Sequence, residues 1–103
     1  METKEKLAHQ FEEELKGKMF LAKRDYKYNP TRFNQMLAEQ GGVATVKQLL
    51  HKAMKTGDLS EGFMRLYCDE ERPDLTAEHS VCKPEYEPLF TKEEIEFCKQ
   101  LFV

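Results

Sequence analysis

The chain has 103 residues, 34% of them charged, and a formal net charge of −3. This length suits one domain, which buries roughly 60–65% of its unfolded surface and needs no covalent staples. No apolar run approaches the ~20 residues that cross a bilayer. The charged start Met1-Glu2-Thr3-Lys4-Glu5-Lys6 leads into no signal-peptide core. The expectation is therefore a cytoplasmic protein without a membrane partner. Cys68, Cys82 and Cys98 form no CxxC pair, which argues against a secreted disulfide scaffold and for free thiols.

Charge is unevenly spread: residues 1–56 carry +4 and residues 57–103 carry −7. Such asymmetry marks either a polyanion bound on one side or two halves that attract within one fold.

Residues 3–24 are expected to form the first helix. Leu7, Phe11, Leu15 and Met19 recur every fourth residue, with Phe20, Leu21 and Ala22 thickening the stripe. Gly17 is a place for the helix to bend or loosen. Glu12–Lys16 and Glu14–Lys18 are spaced as i,i+4 pairs in the favourable order. After a polar connector, Asn29 is the expected N-cap and Pro30 the first residue of a second helix. Phe33, Met36 and Leu37 form its inner face, and Gly41 ends it.

A third helix is expected over about 43–54, with Val43, Val46, Leu50, Ala53 and Met54 inward and Gly57 as its stop. Asp58 with Glu61 reads as a capping box for a fourth helix, and Ser60 is a rival cap. Phe63, Leu66 and Tyr67 share one face of that helix. Residues 69–74 read as a loop, because Pro73 excludes helical geometry at Arg72. Thr76 caps a short helix to Lys83. Pro84 and Pro88 bracket a turn carrying Tyr86, Leu89 and Phe90. Thr91 with Glu94 forms a second capping box, opening a last helix faced by Ile95, Phe97, Cys98, Leu101 and Phe102. The fold class expected is all-α: a compact single-domain bundle of five to six helices over 1–103, with no strand.

Three constellations bear on function. The helix–Gly41-Gly42–helix unit and the basic segment 16–32, with its interleaved aromatics, suit phosphate contact and base stacking. The candidate nucleic-acid contacts are Lys23, Arg24, Lys27 and Arg32. Against this, the apolar clamp positions of a DNA-reading hairpin fall on Gln48 and His51, which are polar. Second, Tyr67, Tyr86 and Phe90 are candidate anchors for a protein partner, since aromatics dominate interface energetics. Third, His79 and Cys82 are the weak candidates for a metal site, but zinc needs further ligands and no paired knuckle spacing is present. No nucleophile elbow or phosphate loop is present, so neither catalytic residues nor a cofactor are expected.

From about Tyr28 to Leu101 the chain resembles a small bacterial helical accessory domain. The residues that carry the resemblance are Tyr28-x-Pro30-x-x-Phe33-x-x-Met36-Leu37, Gly41-Gly42-Val43 with Leu49-Leu50, Ser60-x-Gly62-Phe63-x-x-Leu66, Asp74-Leu75-Thr76-x-Glu78, Pro84 and Leu89-Phe90-Thr91-x-Glu93-Glu94. Residues 1–27 then form an N-terminal helix and connector, and 28–101 the module. Where the pattern has a tryptophan-bearing segment, this chain has Leu66-Tyr67-Cys68. Domains of this kind occur alone or appended to HNH-type nucleases and other restriction or defence-like proteins. The resemblance implies a non-catalytic accessory module of a prokaryotic or phage system that binds a protein partner. Nucleic-acid binding is the alternative, and a small metal-binding or enzymatic protein a third. Homo-oligomerisation is left open.

Overall fold

The structure is a computed structural model that describes residues 3–102. Helix α1 (Lys4–Tyr26) opens on Thr3, whose hydroxyl accepts from the Lys6 N–H. It runs past residue 24 and is unbroken at Gly17, which stands in open space. Phe11, Leu15 and Ala22 are fully buried. Phe20 is not: it lies about 140° round the helix from Leu15 and is 65% exposed, with the Arg24 guanidinium 6.0 Å from its ring centre. Lys18 takes the inward place beside Leu15 instead.

Helix α2 (Thr31–Gln40) starts one residue later than expected, with Pro30 as its N-cap. Asn29 therefore sits too early to reach the first-turn N–H groups and accepts from the Asn34 side-chain amide at 3.1 Å. A single residue, Gly41 (φ 85, ψ 169), joins α2 to α3 (Gly42–Thr56), a conformation that only glycine adopts without strain. Gly42 serves close approach. An added Cβ would come within 3.0 Å of Glu12 Cα on α1, and the Glu12 carboxylate accepts the Gly42 N–H at 3.0 Å. Val46, Leu50 and Ala53 point inward as expected, but Met54 is exposed and Thr45 is buried.

Ser60, not Asp58, caps α4 (Glu61–Phe63), its Oγ accepting from the Phe63 N–H. The helix then widens into a π-helical stretch, Met64–Asp69. The expected loop is shorter than predicted, because Pro73–Leu75 forms a 3-10 turn. Thr76 caps α5 (Ala77–Val81), which ends before Lys83; the residue preceding Pro84 is extended. A 3-10 segment, Pro84–Leu89, delivers Tyr86, Leu89 and Phe90 into the core. The Thr91–Glu94 capping box then opens α6 (Lys92–Leu101).

Helix α1 is the spine, packing on α3, α5 and both 3-10 segments. The main core joins Phe11 and Leu15 of α1 to Val46, Leu50, Val81, Tyr86 and Cys98. A smaller cluster of Ala22, Tyr28, Leu66 and Leu75 closes the far end of α1. The described residues form one all-α domain with a radius of gyration of 12.8 Å, as expected for a compact chain of this length. None of their helices is long and apolar enough to cross a membrane.

Candidate functional site: a cleft beneath the α2–α3 corner

Between the two clusters lies a cleft of about 600 Å³, within the usual range for ligand sites. Its position follows from the chain turn after α1. Lys27 adopts a left-handed conformation (φ 57), and the Tyr28 N–H reaches back to the Ala22 carbonyl at 3.2 Å. Tyr28 is thereby buried at the cleft's edge, and Pro30 sends α2 away over the opening. Met19, Phe33, Met36, Leu49, Leu59 and Leu66 supply apolar walls; Arg32 of α2, Lys52 of α3, and Asp58 and Glu61 supply charged groups.

The cleft's distinctive group is Glu78 on α5. It is only 4% exposed, yet lines the cleft. The Thr76 cap holds α5 in place, its Oγ1 accepting from the His79 N–H at 3.2 Å. Glu78 Oε2 accepts from Ser60 Oγ at 2.7 Å, so Ser60 both caps α4 and ties it to α5. Burial pushes the Glu78 carboxyl above its usual range, against the pull of the Ser60 bond and the Lys18 charge. Burial, then the negative charges of Glu61 and Glu78, push the Tyr28 hydroxyl up to about 12. The cleft thus holds a carboxyl biased toward its neutral form beside a phenol that stays a donor.

Behind this floor lies a polar network. Lys18, 8% exposed, donates from Nζ to the Thr76 carbonyl at 2.8 Å and lies 3.9 Å from Glu14 Oε2. Burial draws its pKa down to about 8, despite the Glu14 charge. Glu14 accepts from Ser80 and Tyr86 and pairs with Lys83 at 3.0 Å. Burial raises its carboxyl, but these bonds outweigh burial and hold it low. For Lys18 the folded state favours the neutral amine. Its contribution raises stability as pH climbs from about 8 to 10.5, a gain of about 3 kcal/mol at most. Denaturant unfolding across that window should show the rise, and Lys18→Met should abolish it.

The sequence-predicted residues distribute differently. Tyr86 and Phe90 are not surface anchors: they are 1% and 8% exposed and pack edge-on against Phe11. The 3-10 segment turns them inward onto Phe11, in a core that Phe33 and Phe97 also border. Tyr67 is half-buried in a cluster with Phe63 and Phe102. His79 packs on Phe102, and its Nδ1 is buried without a hydrogen-bond partner. The Cys82 thiol donates to the Glu78 carbonyl at 3.6 Å. Cys68 is exposed and Cys98 buried, and all three cysteines are free. Among the described residues no three His, Cys, Asp or Glu side chains gather as a metal cluster would require.

Half of the basic segment is engaged within the fold. Lys16 pairs with Glu12 and Glu13, Lys18 is buried and Arg24 pairs with Asp25 at 2.8 Å. Lys23, Lys27 and Arg32 are exposed, and no ion pair engages them among the described residues. Gln48 and His51, the would-be clamp positions, are exposed; His51 Nε2 lies 2.6 Å from Glu94. An apolar clamp between α2 and α3 is therefore missing at those positions.

Sequence reasoning missed Glu78, since an acid in a first helical turn reads as a dipole partner. It also missed Lys18, although the spacing Phe11, Leu15, Lys18, Ala22 is a continuous inward stripe. Comparisons with protein-family models, curated proteins and solved structures found no match, so the chemistry of the cleft is argued from its own residues.

Proposed function

We propose that this domain is a non-catalytic interaction module that takes a short segment of a protein partner into the cleft beneath the α2–α3 corner. The observation that carries the reading is the cleft itself: about 600 Å³, apolar-walled, with a few polar groups converging on its floor. Tyr86 and Phe90 are spent on core packing, whereas this concavity offers room in which a partner side chain can be buried. Its Ser60 is engaged as a helix cap and as a donor to Glu78, so it is poorly placed as a nucleophile. The resemblance to bacterial accessory domains supports the same reading, a small module serving a larger prokaryotic or phage system.

Selection from a random peptide library tests this. A Cβ at Gly62 would lie 3.7 Å from the Tyr28 hydroxyl, so Gly62→Leu should plug the cleft while favouring the helix. Peptides enriched on the natural protein should lose binding to Gly62→Leu. No enrichment, or binders indifferent to the plug, would remove the proposal.

A second reading, nucleic-acid binding, is favoured by the exposed side of α3. Gln48, Lys52 and Lys55 stand there in one stripe, and Lys23, Lys27 and Arg32 are exposed nearby in sequence. Retention on duplex DNA that falls steeply with salt would support it. Absence of a mobility shift at low salt would exclude it.

A further inference from the structure

We propose that Glu78 is the anchor point for a single lysine or arginine side chain of the bound segment. This rests on the reading of the cleft as a protein-binding site and adds its chemistry.

The argument starts from an imbalance. Glu78 is 4% exposed, and its carboxyl takes one side-chain hydrogen bond, from Ser60, and one from its own backbone N–H, but forms no ion pair among the described residues. A buried carboxylate without a countercharge is costly and reverts toward the neutral acid. The positive charges nearby do not supply that countercharge directly. Lys18 spends its ammonium on the Thr76 carbonyl and forms no ion pair with Glu78. Arg65 bonds the Tyr26 carbonyl and pairs with Glu70. An incoming ammonium or guanidinium would provide the missing charge in a site from which water is largely excluded.

The walls fit the same occupant. Met19 and Leu66 offer apolar surface for an aliphatic stem, as long cationic side chains prefer. The Phe33 and Tyr28 rings also line the cleft, and the Arg65 guanidinium already stands 6.0 Å from the Tyr28 ring centre, so Phe33 is the ring left for an incoming cation. Asp58 and Glu61 add negative charge to the lining of the cleft beside Glu78's partner Ser60 in the chain. An acidic anchor would meet these three carboxyls. Arg32 and Lys52, exposed at the cleft, suit an acidic or carbonyl-rich flank of the segment, not its buried tip.

Binding of the cation favours the charged form of Glu78, which burial disfavours. The groups coupled to Glu78 are Lys18 from α1, Tyr28 from the connector, Ser60 ahead of α4, Cys82 beyond α5 and Cys98 on α6. The phenol and both thiols have pKa values pushed up by burial and stay neutral over this range. Affinity for the cation should therefore rise with pH as Glu78 titrates.

The test uses Nα-acetyl-lysine methylamide and Nα-acetyl-arginine methylamide as probes, with the norleucine analogue as an uncharged control of similar length. Amide shifts of the full chain are followed on titration. The expected result is saturable binding of both cations with a Kd of about 10 mM or tighter, shifts at Ser60, Glu61 and Glu78, and tightening as pH rises. The norleucine analogue should bind at least about tenfold more weakly, and Glu78→Gln should cost the cations a similar factor. Equal binding of norleucine, undiminished binding to Glu78→Gln, or no saturable binding of either cation would overturn the anchor. The norleucine comparison uses the unaltered protein, so it stands even if Glu78→Gln folds poorly. Should library peptides bind the cleft without a basic residue, the anchor fails and the binding module survives.

Discussion

Truncating Phe11 to alanine is expected to remove about 3–5 kcal/mol of stability. Phe11 is fully buried at the centre of the main core. Its ring meets Tyr86 at 5.0 Å and Phe90 at 5.1 Å, both edge-on. Removing it leaves a cavity bounded by two rings that arrive on a 3-10 segment bracketed by prolines, which has little freedom to collapse inward. A domain of this size commonly has only about 5–15 kcal/mol in total, so the loss is a large fraction of the whole. Thermal unfolding should fall by roughly 15 °C or more. A drop of only a few degrees would mean that Tyr86 and Phe90 repack, and that the aromatic triad is not the keystone of the core.

Glu94→Ala should cost about 2–4 kcal/mol. This carboxylate is 1% exposed and accepts from Lys47 Nζ at 2.6 Å and the Thr91 N–H at 2.8 Å, with His51 Nε2 at 2.6 Å. It closes the α6 capping box and ties α6 to α3. Lys47 and His51 reach solvent and can rehydrate, which keeps the cost below that of a fully buried broken pair. Loss of the cap and of the Thr91 partner remains. Burial raises the Glu94 carboxyl, but the bonds from Lys47, Thr91 and His51 outweigh burial and lower it. Its stabilisation is therefore complete above the unfolded value of 4.5 and lost as pH falls through the lower folded value. Urea unfolding at neutral and acid pH should show this acid loss in the natural protein and a reduced loss in Glu94→Gln. Glu78 has the opposite sign: its raised pKa means that its own contribution is greatest below the unfolded value of 4.5 and declines as pH rises from there to the higher folded value.

Local signals were legible in the sequence and long-range ones were not. The Thr76 cap and the Thr91–Glu94 box lie within one helical turn, so spacing alone specifies them. The all-α class follows from the same short-range periodicities. Ser60 prevailed over Asp58 because its hydroxyl also bonds Glu78, eighteen positions away. Glu14–Lys18 reads as a surface pair, and the two side chains do approach to 3.9 Å, but Lys18 is drawn inward to satisfy the Thr76 carbonyl, fifty-eight positions on. Tyr86 and Phe90 look like free aromatics until Phe11 is placed against them. Gly41 and Gly42 read as a turn signal; that Gly42 lets α3 close on the α1 backbone depends on a contact with Glu12 that no window around residue 42 contains.

The central claim is that a partner segment is buried in the cleft beneath the α2–α3 corner. Amide chemical-shift mapping with a library-selected peptide tests it most directly. The account predicts changes concentrated at Tyr28 to Met36, Gln48 to Lys52, Asp58 to Gly62 and Glu78, and absent from Gly62→Leu. Changes confined to the Lys23, Arg24 and Lys27 face or to the Tyr67–Phe102 cluster, with the cleft unmoved, would contradict it.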